Sequence, residues 1–262
     1  MHENIKPVNN VADDVDFDFS PFLKLYKDGR IERLLKSPFV PASDNPAANR
    51  GVATRDVVID HGTGVSARLF LPTRAAAMAG GRKQKLPLVV YIHSGSFCTE
   101  SAFCRTYHCH ATSLAAAAGA LVVSVEYRLA PEHPRTRRLG RRVVRAPPYL
   151  WGAERLPSEE VWDGMAVFPA YGVDWLWPFV TAGQAGNDDP RLNPPNEMAT
   201  LTCRRVLTRG VRLLAHIGDC FARGGGGGGQ VTLVESEGED HGFHLYSPLR
   251  RCVLPARSSW KA

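Results

Sequence analysis

The spacing of apolar and polar positions divides the chain into readable pieces. DFSPFLKLYKDGRIERLL places two short apolar runs on either side of Lys27-Asp28-Gly29-Arg30. Asp-Gly between such runs predicts a hairpin turn. Residues 55–72, RDVVIDHGTGVSARLFLP, read as two strands about a Gly-rich turn, followed by a polar loop over 73–85. LPLVVYIH, residues 86–93, is an unbroken apolar run ending in His and small residues. Such a run predicts a buried central strand that feeds a functional loop. Residues 101–119 suit a helix, and ALVVSVEYR (120–128) suits the next buried strand. Strand, loop, helix, strand in that order predicts a parallel sheet with crossover helices.

After Pro134 the pattern breaks. RTRRLGRRVVR, residues 135–145, has no period. A globular texture returns over 146–200, with helical signals at PSEEVW and DWLWPFV and a turn-rich loop at 186–195. Six consecutive glycines at 224–229 can hold neither a helix nor a central strand, so they read as a flexible linker. QVTLVE (230–235) is a strand, and the polar SEGEDHGFHLYSP follows it. The whole chain, 1–262, reads as one domain. Residues 1–50 form an N-terminal cap segment, and 135–147 and 208–229 are atypical and irregular.

Composition narrows the class. With 262 residues, 44% hydrophobic and 22% charged, the chain has room for one α/β domain with a sizeable core. Collagen-like, coiled-coil and wholly disordered chains are excluded. No apolar run reaches the roughly 18–20 residues that span a bilayer. The acidic start, MHENIKPVNNVADDVDFDF, lacks the pattern of a signal peptide. The expected location is the cytoplasm, extending to the nucleus, with thiols reduced.

The net charge of +6 equals the six Arg between 135 and 145, so the basic balance belongs to one short segment. A nucleic-acid footprint spreads over a face or a recognised module, so no nucleic-acid partner is expected, and no membrane partner either. None of the six cysteines forms a CxxC pair. Cys104, His108, Cys109 and His110 cluster on one predicted helix. Cys104 and His108 share a face, but two ligands do not complete a tetrahedral site, so no metal is expected.

Three pieces carry chemistry. His93-Ser94-Gly95-Ser96 follows the strand LPLVVYI, where small residues let backbone N–H groups face a pocket and hold an oxyanion. Glu126-Tyr127-Arg128-Leu129-Ala130-Pro131-Glu132-His133-Pro134 follows the next strand. Glu237-Gly238-Glu239-Asp240-His241-Gly242-Phe243 follows QVTLVES, and a His in a loop after a late strand is placed as a general base.

Together with DFSPFLKLYKDGRIERLL, TGVSARLFLP, PYLWG and DDPRLNP, these pieces resemble the plant carboxylesterases of the hormone-sensitive-lipase group of α/β-hydrolases. That group also contains the gibberellin receptor. The resemblance covers residues 16–134, 146–207 and 230–248. It implies an α/β-hydrolase fold: a mostly parallel sheet with flanking helices and an N-terminal cap over the pocket. It implies hydrolysis of small carboxylic esters by a Ser-His-Asp triad, with no metal or cofactor. His241 is then the general base, and Ser94, Gly95 and Ser96 form the oxyanion hole.

The departures from the family pattern fall on the catalytic groups. No Ser in the chain has Gly at both −2 and +2, so the G-x-S-x-G elbow is missing. Ser66, in Gly64-Val-Ser66-Ala-Arg68, comes nearest but lies in an early strand. The elbow belongs between YRLAPEHP and PYLWG, where only 13 residues, 135–147, are available. A helix, a strand, the elbow and its helix cannot fit there, since at ~3.3 Å per residue the strand alone uses about half. The nucleophile is absent, and the fold is expected to be truncated in its centre.

No carboxylate follows Arg205-Val206-Leu207 at the family's acid position; Asp219 comes about five residues late, and Asp240 adjoins His241 in its own loop. Ser94 stands where the family has an oxyanion-hole glycine, which restricts φ. The expectation is a carboxylesterase-family chain with its catalysis impaired and a small ester or acid as ligand. One alternative is a non-catalytic binder of a gibberellin-like acid. The other is a decayed, mis-spliced or frame-shifted gene product.

Overall fold

The computed structural model describes residues 14–73, 86–134, 170–189, 205–209, 230–234 and 245. The chain forms two compact units, Met1–Leu129 and Ala130–Ala262.

In the first unit, β1 (Val15–Phe19), β2 (Leu23–Tyr26) and β3 (Ile31–Arg33) form a small antiparallel sheet. The predicted turn joins β2 to β3. Gly29 takes φ +85°, the left-handed region that glycine enters freely, and Asp28 Oδ1 accepts the Arg30 N–H at 2.8 Å. The Arg30 guanidinium lies 3.4 Å from the centre of the Tyr26 ring. Phe19, Phe22, Leu23 and Tyr26 are buried, and the Phe19 and Phe22 rings stack at 5.0 Å.

A second sheet carries β4 (Val52–Asp60), β5 (Val65–Pro72), β6 (Leu88–Ile92) and β7 (Leu121–Glu126), in the order β4-β5-β7-β6. β4 with β5 and β5 with β7 are antiparallel, while β6 and β7 are parallel. The predicted crossover is therefore real, and helix α1 (Arg105–Ala118) makes it. Ala111 and Ala115 of α1 pack on Phe70 of β5, Val52 of β4 and Val122 of β7, all fully buried. Burying a side chain the size of Val or Phe contributes about 1.5–3 kcal/mol. Gly119 at φ +60° ends the helix, its N–H returning to the Ala115 carbonyl.

Two expectations need correction here. Residues 101–104 are not helical: Ser101 Oγ accepts the Phe103 N–H at 3.0 Å, and Cys104 is extended as the N-cap. A side chain that captures nearby backbone donors competes with the helix, so α1 starts at Arg105. And among the described residues β6 is not central: it is the last described strand in its sheet, with Leu88 61% and Val90 51% exposed. Its apolar run fits a strand flanked on both sides, but among the described residues only β7 pairs with it.

In the second unit, DWLWPFV lies in helix α2 (Ala170–Val180), as its pattern predicts. Leu176, Trp177 and Val180 are buried. β8 (Arg205–Arg209) pairs in parallel with β9 (Gln230–Val234), the strand predicted from QVTLVE. Thr208 and Arg209, expected to be irregular, pair with Leu233 and Val234 and complete β8. Residues 135–147 and 210–229 lie outside the described residues.

Candidate functional site

The carboxyl ends of β6 and β7 lie side by side, where open α/β sheets bind their ligands. β6 runs into the loop His93–Ser101, and β7 ends on Glu126, with Tyr127 next in the chain.

The loop is tight and held in an uncommon backbone conformation. Gly95 takes φ +120°, and a Cβ there would stand 2.3 Å from the Thr99 carbonyl oxygen, so no other residue fits. The Gly95 carbonyl accepts the N–H groups of Cys98 and Thr99 at 3.0 and 2.9 Å, and the Thr99 hydroxyl at 3.0 Å. Ser96, Phe97 and Glu100 take φ of +55°, +60° and +68°. Left-handed backbone costs a non-glycine residue roughly 1–2 kcal/mol, so the surroundings must hold it. The N–H groups of Gly95 and Ser96 donate to no described residue. Ser94, where a φ restriction is expected to matter, keeps an ordinary negative φ. The left-handed strain falls on Ser96 and Phe97 instead.

Several side chains brace this loop. The Ser94 hydroxyl lies 2.6 Å from the Tyr107 hydroxyl on α1. The Tyr127 hydroxyl donates to the His93 carbonyl at 2.9 Å, and the two rings stack at 4.2 Å. His93 Nδ1 is 2.7 Å from the Ser94 carbonyl oxygen, which can only accept, so Nδ1 carries the proton. Nε2 then faces Glu126 Oε2 at 3.9 Å. Glu126 accepts from the Ser101 hydroxyl at 2.9 Å and from the Ala102 N–H. Burial pushes its carboxyl above the ordinary range, against the pull of those two donors.

The N-terminal segment also bonds to the loop. Arg33 Nε donates to the Cys98 carbonyl at 2.7 Å, and the Ser37 hydroxyl donates to Glu100 at 3.1 Å. The Cys104 thiol donates to Glu100 at 2.9 Å. Burial and the Glu100 carboxylate push that thiol up to about 11, so it is a hydrogen-bond donor and not a thiolate nucleophile.

The other residues of the Cys-His cluster are spoken for differently. Arg68, fully buried on β5, makes two bonds to Asp56 of β4, at 2.7 and 2.9 Å, and donates to the Val40 carbonyl. Its Nη1 also lies 3.1 Å from His108 Nδ1. A guanidinium has no lone pair to offer, so His108 accepts there, and its Nε2 proton goes to Asn49 Oδ1 at 3.2 Å. Burial, then the Arg68 charge, lower His108 to about 4. Among the described residues no group of three metal ligands comes together.

Ser94, Gly95 and Ser96 are thus brought together at a strand end. His241, Asp219 and Asp240 lie outside the described residues. The bracing roles of Tyr107, Tyr127 and Glu126, and of Arg33 in the cap, were not read from the sequence. Glu126-Tyr127 directly after a strand was the available signal.

Comparison with known proteins agrees with this fold. A family described as alpha/beta hydrolase fold matches residues 89–138, which run through β6, the loop, α1 and β7. The tuliposide A-converting enzyme b3 of Tulipa gesneriana, named as amyloplastic, is 33% identical over 301 aligned residues, covering 89% of this chain and 75% of that protein. Probable carboxylesterase 1 of Arabidopsis thaliana is 31% identical over 304, covering 90% and 92%. Both spans exceed the 262 residues of the chain, so these relatives carry residues inside the matched span that it lacks. Among solved structures, esterase LipW from Mycobacterium marinum superposes with a TM-score of 0.58 at 19% identity, covering 77% of each chain. That likeness shows a shared fold.

Proposed function

The chain belongs to the plant carboxylesterase family of α/β-hydrolases, and we propose that it keeps the family's oxyanion-binding loop without the serine nucleophile. One observation carries the reading: no Ser anywhere in the chain sits in G-x-S-x-G. The family match ending at residue 138, inside the Arg-rich segment, supports it. So does the excess length of the aligned relatives.

In a complete site His241 takes the serine proton, Asp219 or another carboxylate orients it, and the Gly95 and Ser96 N–H groups hold the oxyanion. Here His241 has no serine to deprotonate. Three hydroxyls of the loop are engaged elsewhere: Ser94 with Tyr107, Thr99 with Gly95 and Ser101 with Glu126. Loss of a triad serine costs on the order of 10⁶ in turnover. The ligand is a small carboxylic ester or acid, and the reading calls on no metal or cofactor. The cytoplasm is the proposed location.

The test is labelling with a fluorophosphonate, which needs an activated serine. The purified chain is expected to take up no stoichiometric label. Stoichiometric labelling that His241→Ala removes would overturn the reading. A second reading, a binder of small gibberellin-like acids, is favoured by the two N–H groups of the loop that donate to no described residue. Saturable binding of such an acid, lost in Gly95→Ala, would support it.

A further inference from the structure

His108 and Tyr107 are neighbours on α1 and face different partners. His108 is held by Arg68 of β5. Tyr107 is held against the loop, its hydroxyl 2.6 Å from Ser94 Oγ and its ring 5.3 Å from His93. One turn of helix therefore links a buried arginine to the proposed oxyanion loop.

The Arg68–His108 contact exists in only one protonation state. Arg68 Nη1 donates, so His108 Nδ1 must present its lone pair. A proton on Nδ1 sets two N–H groups head to head and two cations in contact inside the core. The ring cannot escape by exchanging nitrogens, because Nε2 already gives its proton to Asn49 Oδ1, which also receives the Thr112 hydroxyl at 3.3 Å.

We propose that the Arg68–His108 contact is an acid-sensitive latch: protonation of His108 parts α1 from β5 and, through Tyr107, frees Ser94 and the loop His93–Ser101. The proposal does not depend on whether the loop holds an oxyanion. The groups around the latch set its direction. From β5 comes Arg68, which opposes a second cation; from β4 comes Asp56, already engaged twice by Arg68 and only partly offsetting it. From β7 comes Glu126, whose carboxyl interacts with Arg68 and Asp56. On α1 itself, Arg105 is exposed, and from the segment 46–49 Asn49 is neutral.

The latch is closed where an ordinary imidazole is neutral. As pH falls below ~6.5 the opened form takes up a proton that the closed form refuses, until the closed form itself titrates near 4. Opening therefore grows through that window.

The experiment is a histidine-ring NMR titration of the full chain from pH 7.5 to 4, with amide hydrogen exchange corrected for intrinsic rates. His108 is expected to stay neutral well below 6.5. Exchange over 93–118 is expected to rise at least tenfold across the window, while the β2–β3 hairpin is unchanged. His108→Gln, which offers Arg68 an oxygen and Asn49 an amide but cannot titrate, is expected to abolish the rise. Tyr107→Phe is expected to keep the rise in α1 and to leave the loop in fast exchange at every pH. Glu126→Gln is expected to keep the rise throughout. A His108 midpoint near 6.5, no rise in the wild type, or an undiminished rise in His108→Gln would overturn the proposal. Should His108→Gln not fold, loss of the rise in Glu126→Gln would overturn it equally.

Discussion

Two polar clusters flank α1, and they are built on opposite principles. Around the buried Arg68 donors and acceptors are matched: Asp56 takes two bonds, Val40 one and His108 one, and His108 passes its own proton to Asn49. In the loop His93–Ser101 the backbone is bent into left-handed conformations, and two N–H groups donate to no described residue. The first arrangement closes a core. The second keeps its shape because Tyr107, Tyr127, Glu126 and Arg33 hold it. Matched polar groups add stability, whereas strained backbone persists only where its surroundings hold it.

The sharpest way to break the contrast is Arg68→Ala. It deletes a buried side chain and leaves His108 and the Val40 carbonyl without their donor, while Asp56 reaches solvent and regains water, so the expected cost is about 3 kcal/mol in urea unfolding. A cost under about 1 kcal/mol would mean the cluster is not the closed network described.

Acid comes next. With His108 lowered to about 4 in the folded state, the unfolded chain binds the extra proton between pH 6.5 and 4. Stability is therefore full above ~6.5 and falls with pH, by about 3 kcal/mol at most. The raised Glu126 works the other way, because its burial penalty lifts on protonation, so it offsets part of the loss. Stability measured by urea at pH 7 and pH 4.5 checks the sign, and His108→Gln should flatten the dependence.

Gly95→Ala attacks the other side of the comparison. Its Cβ meets the Thr99 carbonyl oxygen at 2.3 Å, so the loop must shift. About 2 kcal/mol of stability and all anion binding by the loop should be lost. Tyr107→Phe is the smallest change, at about 1 kcal/mol. With Ser94→Ala it should be clearly non-additive in a double-mutant cycle, since each removes the same bond.

What the sequence made legible follows from the range of the forces involved. The β2–β3 turn was readable because Asp28 and Gly29 act within four residues, and β4, β5 and β7 because their apolar patterns are local. The start of α1 was not, since one Ser101 hydroxyl diverts a backbone donor. The outer position of β6 among the described strands was not, because pairing depends on strands distant in the chain. No role for Arg68 was read from the sequence. Its burial rests on register, which sets it directly across from Asp56 on β4. The small-residue loop was legible at the end of β6, but its braces were invisible because each comes from a different element.

The central claim is a family scaffold that has an oxyanion loop and no nucleophile. The most direct test is steady-state hydrolysis of 4-nitrophenyl acetate by the purified chain beside His241→Ala. The account predicts equal rates, both close to the uncatalysed background. Turnover well above background that falls in His241→Ala would contradict it, because His241 would then be activating a nucleophile.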